Sequence, residues 1–159
     1  MKKNLVAICD MCGNEDVKKD AEVAWDTATQ QRALSNIYSK NECITCGSCG
    51  IEMVAMDSEE YKIIKLIRDT AEELLQEKPY TGGCRTFYTQ EEWRTRLEQW
   101  GNDAVMVICH DGGDYAHFFN QDYESYSFYN KMDEALRAAG YWPEALTCWA
   151  TAIYRSEDG

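Results

Sequence analysis

Cysteines are the residues of this chain whose type and spacing most clearly indicate chemistry. Two short segments, beginning at Cys9 and at Cys43, each place a second cysteine three positions later and a glycine directly after it. Two residues between thiolates let one tight turn present both sulfurs to a single ion, and two such turns complete a tetrahedral site. We therefore predict one structural zinc ion bound by Cys9, Cys12, Cys43 and Cys46.

The second cysteine pair has an alternative composition. Cys46 and Cys49 show the same spacing followed by glycine, so Cys49 can take the place of Cys43. The stretch between Cys12 and Cys43 is long for a zinc site, and a β-hairpin within it would bring the second pair back to the first. Isolated buried cysteines and a redox-active pair are the other two interpretations.

A second candidate site follows the continuous apolar run at 104–109, which is typical of a buried strand. In open α/β sheets, ligands bind outside the carboxyl ends of strands, and polar residues come directly after this run. One hypothesis is a small hydrolase in which His110 is a general base or metal ligand and Asp111 or Asp114 is its partner. The alternative is a polar glycine turn that contains a histidine.

The segments around the second cysteine pair predict a hairpin and a long helix. Apolar and polar residues alternate over 20–26, a polar turn follows, and 32–38 is a plausible returning strand. Residues 57–78 then place apolar residues at helical spacing, with Asp57 as the expected N-cap. Pro79 and the glycines that follow it end this helix.

The last region predicts alternating strands and helices, an order that favours a small sheet that is at least partly parallel. Thr89 and Glu92 have capping-box spacing, and Trp93, Leu97 and Trp100 share one face of the helix that follows. The predicted elements are strand 84–88, helix 89–100, strand 104–109, helix 123–139 and strand 145–154.

These elements predict an α+β fold in three parts. Residues 1–56 form a zinc-ribbon-like β module, residues 57–79 a connecting helix, and residues 80–159 a small βαβαβ α/β sheet domain.

Several stretches carry a family resemblance as well. The region from Cys9 to Cys46, with its 20–26 strand and the Gln30-Gln31 pair, resembles a zinc ribbon. With the later stretches, it is similar to a family of uncharacterised small bacterial proteins found on plasmids and in phages. The resemblance therefore implies that the protein is encoded by a plasmid or a phage, but it implies no particular activity. The later stretches are 84–89 with Trp93, 110–114, 118–120, 122–123, 147–149 and 152–154.

The net charge of −12 is unevenly distributed along the chain. Residues 1–56 hold six Lys and Arg against eight Asp and Glu, whereas the remainder holds ten against twenty. Such a field repels a phosphate backbone, so direct nucleic-acid binding is disfavoured and a basic protein surface is the expected partner. Residues 101–129 contain no Lys or Arg and many aromatics. The predicted partner-binding residues are Asp111, Asp114, Asp122, Tyr123, Glu124 and Tyr126.

These features predict a zinc-stabilised acidic binding protein without catalysis of its own. Given the genetic setting that the resemblance implies, its expected role is that of a phage- or plasmid-encoded inhibitor of a host nucleic-acid-processing or defence complex. A hydrolase centred on His110 and Asp111, and a nucleic-acid-associated zinc ribbon, are the alternatives. The sequence has no apolar run of the ~18 residues that a membrane span needs and no signal-peptide pattern, so we expect a cytoplasmic protein with reduced thiols.

Overall fold

The computed structural model describes residues 4–48 and 50–156, and its elements follow the predicted outline in most places. No helix within these ranges has the length and apolar character required to cross a membrane. The strands are β1 (Leu5–Cys9), β2 (Val17–Asp26), β3 (Gln31–Cys43), β4 (Ile51–Ala55), β5 (Phe87–Thr89), β6 (Met106–Cys109), β7 (Tyr141–Thr147) and β8 (Ala150–Arg155). The helices are α1 (Glu59–Leu75), α2 (Gln90–Thr95), α3 (Ala116–Phe119) and α4 (Tyr126–Ala138), with a 3-10 turn at Gln121–Tyr123.

The strands form three sheets, and every pairing is antiparallel. β1 pairs with β4, and β2 pairs with β3, which confirms the hairpin predicted between the cysteine pairs. The third sheet has four strands in the order β5-β6-β8-β7. The prediction of a partly parallel sheet is therefore wrong.

The physical reason lies in the segment 145–154, which is two strands and not one. β7 ends at Thr147, Cys148 and Trp149 form the turn, and β8 folds back beside it. β7 still runs in the direction of β6, as a crossover through α4 requires, but β8 inserts between the two and pairs with both. Cysteine and tryptophan are not turn-forming types, so the sequence gives no signal for this reversal.

Helix α1 begins after Ser58, which is the N-cap in place of the predicted Asp57. The Ser58 hydroxyl accepts a hydrogen bond from the Tyr61 backbone amide at 3.2 Å. The helix ends at Leu75, and Gln76 follows in the left-handed conformation with φ 60°. The helix therefore ends four residues before Pro79, which lies in the connection and not at the helix end.

Helix α2 is shorter than predicted. The capping box of Thr89 and Glu92 is present, but the helix ends at Thr95. Leu97 has φ 58° and is 90% exposed, so the predicted face of Trp93, Leu97 and Trp100 does not form. Trp93 alone is buried, and its indole donates a hydrogen bond to the Trp100 carbonyl at 2.8 Å.

The main core lies between one face of the four-stranded sheet and the helices. Ile8 of β1 and Val54 of β4 belong to the same buried cluster as Ile67 of α1 and Ile108 of β6. A second cluster around Trp93 covers the other face of the sheet. No described residue of β2 or β3 belongs to either cluster. We call β2, β3 and their turn (residues 17–43) the ribbon, and the β1–β4 pair, the four-stranded sheet and the helices the body.

Candidate metal centre

The structure brings four cysteines of the N-terminal region together. The sulfur atoms of Cys9, Cys12, Cys43 and Cys46 all lie within 4.8 Å of one another. The Cys9–Cys46 and Cys12–Cys43 sulfur separations are 3.5 and 3.6 Å. A tetrahedron with Zn–S bonds of about 2.3 Å has edges of about 3.8 Å, so one ion fits among these sulfurs.

The two cysteine pairs lie on turns with the same backbone hydrogen bonds. In the first turn, the Gly13 amide donates to the Cys9 carbonyl at 2.9 Å, and in the second the Gly47 amide donates to the Cys43 carbonyl at 2.8 Å. Both glycines adopt positive φ, 69° and 74°, a conformation that favours glycine. The C-x-x-C-G pattern therefore encodes one turn geometry twice. We call these turns the first knuckle (residues 9–13) and the second knuckle (residues 43–47).

Hydrogen bonding separates the proton affinities of the thiols. The hydrogen bond from Cys12 lowers the pKa of Cys9 to about 5; burial opposes this shift, and backbone amides support it. The pKa of Cys12 is raised because it shares its proton with Cys9 and because it is buried. Burial raises the pKa of Cys46 to about 11. One thiolate therefore forms easily, whereas four mutually repelling thiolates require a cation among them.

The first knuckle is fixed to the body from two sides. Arg68 of α1 donates to the Gly13 carbonyl at 3.0 Å, and the Thr86 amide donates to the Met11 carbonyl at 2.8 Å. A Cβ atom on Gly13 would lie 2.6 Å from the Ile64 side chain and 2.9 Å from the Phe87 ring. The knuckle backbone is therefore packed directly against α1 and β5, and glycine is required for both space and conformation.

Arg68 is the residue that the sequence analysis missed. Its side chain is 8% exposed, and it also contacts the Glu15 carboxylate at 3.0 Å. Burial of Glu15 opposes its ionisation, but the hydrogen bonds from Arg68 and Tyr61 outweigh that effect and lower the pKa of Glu15. The available signal was an arginine within the apolar stripe of a predicted amphipathic helix, since a charge on a buried face needs a partner.

The second knuckle is linked by hydrogen bonds to residues 10–16, which include most of the first knuckle and the residues that follow it. The Ile44 amide donates to the Asp16 carbonyl at 2.9 Å, and the Ser48 hydroxyl donates to the Asp10 carboxylate at 3.3 Å. Two residues of this knuckle, Ile44 and Cys46, are exposed to solvent. Cys49, the alternative to Cys43, lies outside the described residues. A shared metal ion would join this knuckle to the first knuckle, which is packed on the body.

His110 lies inside the fold, at the end of β6. The side chain is 1% exposed, its ring stacks on Phe119, and Nε2 lies 3.1 Å from the Thr151 hydroxyl. Burial lowers the pKa of His110 to about 4, and the charge of Asp111 opposes this shift. Asp111 itself is exposed. The two residues proposed as a catalytic pair thus occupy different environments, and the imidazole has the surroundings of a core residue.

The predicted partner-binding acids lie in two adjacent loops at one end of the four-stranded sheet. Asp111 follows β6, and the later loop is tied to the β7–β8 turn because the Asn120 side chain donates to the Cys148 carbonyl at 2.9 Å. Asp114 has a structural contact, since its carboxylate accepts a hydrogen bond from the Tyr80 amide at 2.7 Å. The other four predicted residues are exposed, namely Asp122, Tyr123, Glu124 and Tyr126.

A second acidic surface lies elsewhere on the body. Glu52 of β4 and Glu60 of α1 line a groove of about 500 Å³ between these elements and the start of α2. Burial and the charge of nearby carboxylates raise the pKa of Glu52 and of Glu60. The groove was not predicted from the sequence because its acids are far apart in the chain. Two pairs of these acids lie at the starts of helices, where acidic residues are favourable for the helix itself. The other acids of the groove are Glu59, Glu91 and Glu92.

No family model matches the chain, and neither a curated protein nor a solved structure is significantly similar to it.

Proposed function

We propose that the protein is a zinc-stabilised binding protein. Cys9, Cys12, Cys43 and Cys46 hold one structural Zn²⁺, and an acidic surface of the body engages a basic surface on a protein partner. The observation that carries the metal assignment is the cluster of four sulfurs within 4.8 Å. Tetrahedral thiolate sites are typical of zinc or iron, and two C-x-x-C pairs are a ligand spacing typical of structural zinc.

The arrangement supports a structural and not a catalytic ion. Four protein ligands complete a tetrahedral shell, so no position is left for water or substrate. Cys9, Cys12 and Cys43 are buried, which further limits access to the ion. The ion would connect the first knuckle, which is packed on α1, to the second knuckle, from which the ribbon projects.

Metal content of the purified protein tests the assignment. We expect one zinc per chain by elemental mass spectrometry, and loss of that zinc in Cys12→Ser. Cys148→Ser is the matched control, because Cys148 is exposed in the β7–β8 turn and should leave the zinc content unchanged. Iron at one atom per chain would contradict the identity of the ion, and a metal-free protein with intact fold would contradict the site itself.

The acidic loops support the binding role. Asp111, Asp122 and Glu124 are exposed, and Tyr123 and Tyr126 beside them are 44% and 56% exposed. No Lys or Arg occurs between residues 101 and 130, so no cation of this segment neutralises them. Aromatic side chains among carboxylates suit a partner rich in Arg and Lys, since complementary charge steers association and aromatics provide contact area.

Binding is tested first by affinity capture from a bacterial lysate near 0.15 M salt, where the Debye length is about 8 Å. A retained partner is then purified, and its affinity is measured against Asp111→Asn/Asp122→Asn/Glu124→Gln. We expect about a tenfold loss or more, together with a weaker dependence on salt. The control is Glu73→Gln/Glu77→Gln, which removes two exposed acids, one in the last turn of α1 and one two residues after it. Equal losses in both variants, or no retained protein, would refute the acidic-surface proposal.

A further inference from the structure

The ribbon presents an apolar face that no described residue covers. Its register opposes Ala21 to Ile37 and Val23 to Leu34, and directly opposed residues share one face of an antiparallel pair. Alternation along β2 adds Trp25 to the same face. Val23, Trp25, Leu34 and Ile37 are each more than half exposed. We call Ala21, Val23, Trp25, Leu34 and Ile37 the apolar ribbon face.

Basic residues stand at both ends of this face. Lys19 precedes Ala21 by two positions on β2, where the extra residues of a register shift lie on β3 and leave the alternation of β2 intact. Arg32 is directly opposite Trp25 near the turn. Both are exposed, and neither forms a salt bridge within the described part of the chain. The strip from Lys19 to Trp25 is ~20 Å long at ~3.3 Å per residue. Glu42 lies on the opposite face, where it pairs with Lys18 at 3.2 Å.

We propose that the apolar ribbon face docks a segment of a partner protein whose apolar side chains are bracketed by carboxylates. The central Trp25 and the flanking Arg32 are residue types that contribute most to binding energy at interfaces. Lys19 and Arg32 would pair with the carboxylates at the rim, where charge fixes register and orientation. This surface is distinct from the acidic loops, so the two can engage opposite charge patterns on one partner or on two.

A second copy of the chain fits this face poorly. When a two-fold axis packs two ribbons face to face, their tips lie either at the same end of the interface or at opposite ends. The first arrangement opposes Arg32 to its own copy, and the second opposes Arg32 to Lys19. Either contact places like charges together at an interface, which is costly. Nucleic acid fits poorly as well. Lys19 and Arg32 belong to a chain with net charge −12, and this charge repels a phosphate backbone.

Selection of displayed peptides tests the proposal directly. The zinc-loaded full chain is used to select random peptides of about twelve residues, long enough to span the strip at ~3.3 Å per residue. We expect enriched sequences in which apolar residues are flanked by Asp or Glu. Enrichment without the acidic flanks, or no enrichment at all, would overturn the proposal.

Variants of the ribbon identify the surface that binds. A selected peptide should bind Trp25→Ser and Leu34→Ser at least about tenfold more weakly. Met53→Ser, which changes an equally exposed apolar residue outside the ribbon, should leave affinity unchanged. Lys19→Glu/Arg32→Glu should lose the acidic peptide and gain the same peptide with lysines in place of its acids. Failure of this charge exchange would exclude the assigned orientation.

Two further measurements distinguish a protein segment from the other possible occupants, a second copy of the chain and nucleic acid. Light scattering should give a monomer, and a dimer that Trp25→Ser dissociates would assign the face to self-association instead. A retarded duplex in a gel-shift assay that is lost in Arg32→Glu would assign it to nucleic acid. Either result would refute a protein segment as the occupant.

Discussion

Apolar side chains are buried in the body but exposed in the ribbon. Ile63, Ile67 and Ile108 of the body are completely buried, whereas Trp25 and Leu34 of the ribbon are both 58% exposed. The body has helices on one face of its sheet and an aromatic layer on the other. The ribbon has two strands and no covering layer, and such a hairpin is only marginally stable alone. Apolar residues of this chain can therefore form a buried core or an exposed face, depending on whether another layer covers them.

Metal removal should give the largest difference between the two regions. A structural zinc provides on the order of 10 kcal/mol of binding free energy, and here it would anchor the second knuckle and the ribbon. In chelator-treated protein, hydrogen exchange should become fast at 17–48 while α1, β6 and β8 stay protected. Mass spectrometry of deuterated peptic fragments measures both. Equal deprotection of the two regions would show that the metal centre and the body unfold as one unit.

Truncation of a single apolar side chain sharpens the contrast. Ile67→Ala should lower the free energy of unfolding by about 2–5 kcal/mol because it leaves a cavity in the main core. Leu34→Ala should lower it by less than about 1 kcal/mol, since only its cross-strand contact with Val23 is lost. Urea denaturation followed by circular dichroism gives both values. Similar losses would mean that the ribbon face is covered in solution.

The two knuckle glycines provide a matched pair. A Cβ on Gly13 meets Ile64 and Phe87, whereas a Cβ on Gly47 meets no atom within 4 Å. Both positions have positive φ, so both alanine variants carry the backbone strain of about 1–2 kcal/mol. Gly13→Ala adds an overpacking cost of about 1–3 kcal/mol. Thermal melts of the zinc-loaded variants should therefore place Gly13→Ala well below Gly47→Ala, and equal melting temperatures would argue against the packed first knuckle.

Acidification should affect the body through His110. Its pKa of about 4 in the folded protein lies below the ordinary value of 6.5, so the unfolded chain binds more protons between these pH values. Stability should fall as pH decreases from 6.5 to 4, by at most about 3 kcal/mol from this group. His110→Gln removes the titrating ring and keeps a polar group near the Thr151 hydroxyl, so its stability should depend less on pH. Parallel pH profiles for the variant and the parent chain would contradict this role.

Local features of the site were predictable from sequence because each depends on residues close together in the chain. The Cys-x-x-Cys-Gly spacing encodes both knuckle turns, and the Thr89–Glu92 spacing encodes a capping box that the structure confirms. The hairpin between the cysteine pairs was likewise visible in its alternation. The boundaries of α2 were not, since its last turn is lost where Leu97 adopts positive φ.

The sequence by itself determined the residue types of the metal centre, the starting regions of α1 and α2 and the strong negative charge. Only the tertiary structure decided which sulfurs meet, that β8 inserts between β6 and β7, and that Arg68 supports the first knuckle. It also decided that the ribbon face stays open while the faces of the body's sheet are covered. These outcomes depend on contacts between residues far apart in the chain, and local patterns of polarity and propensity carry no record of the layer that covers them.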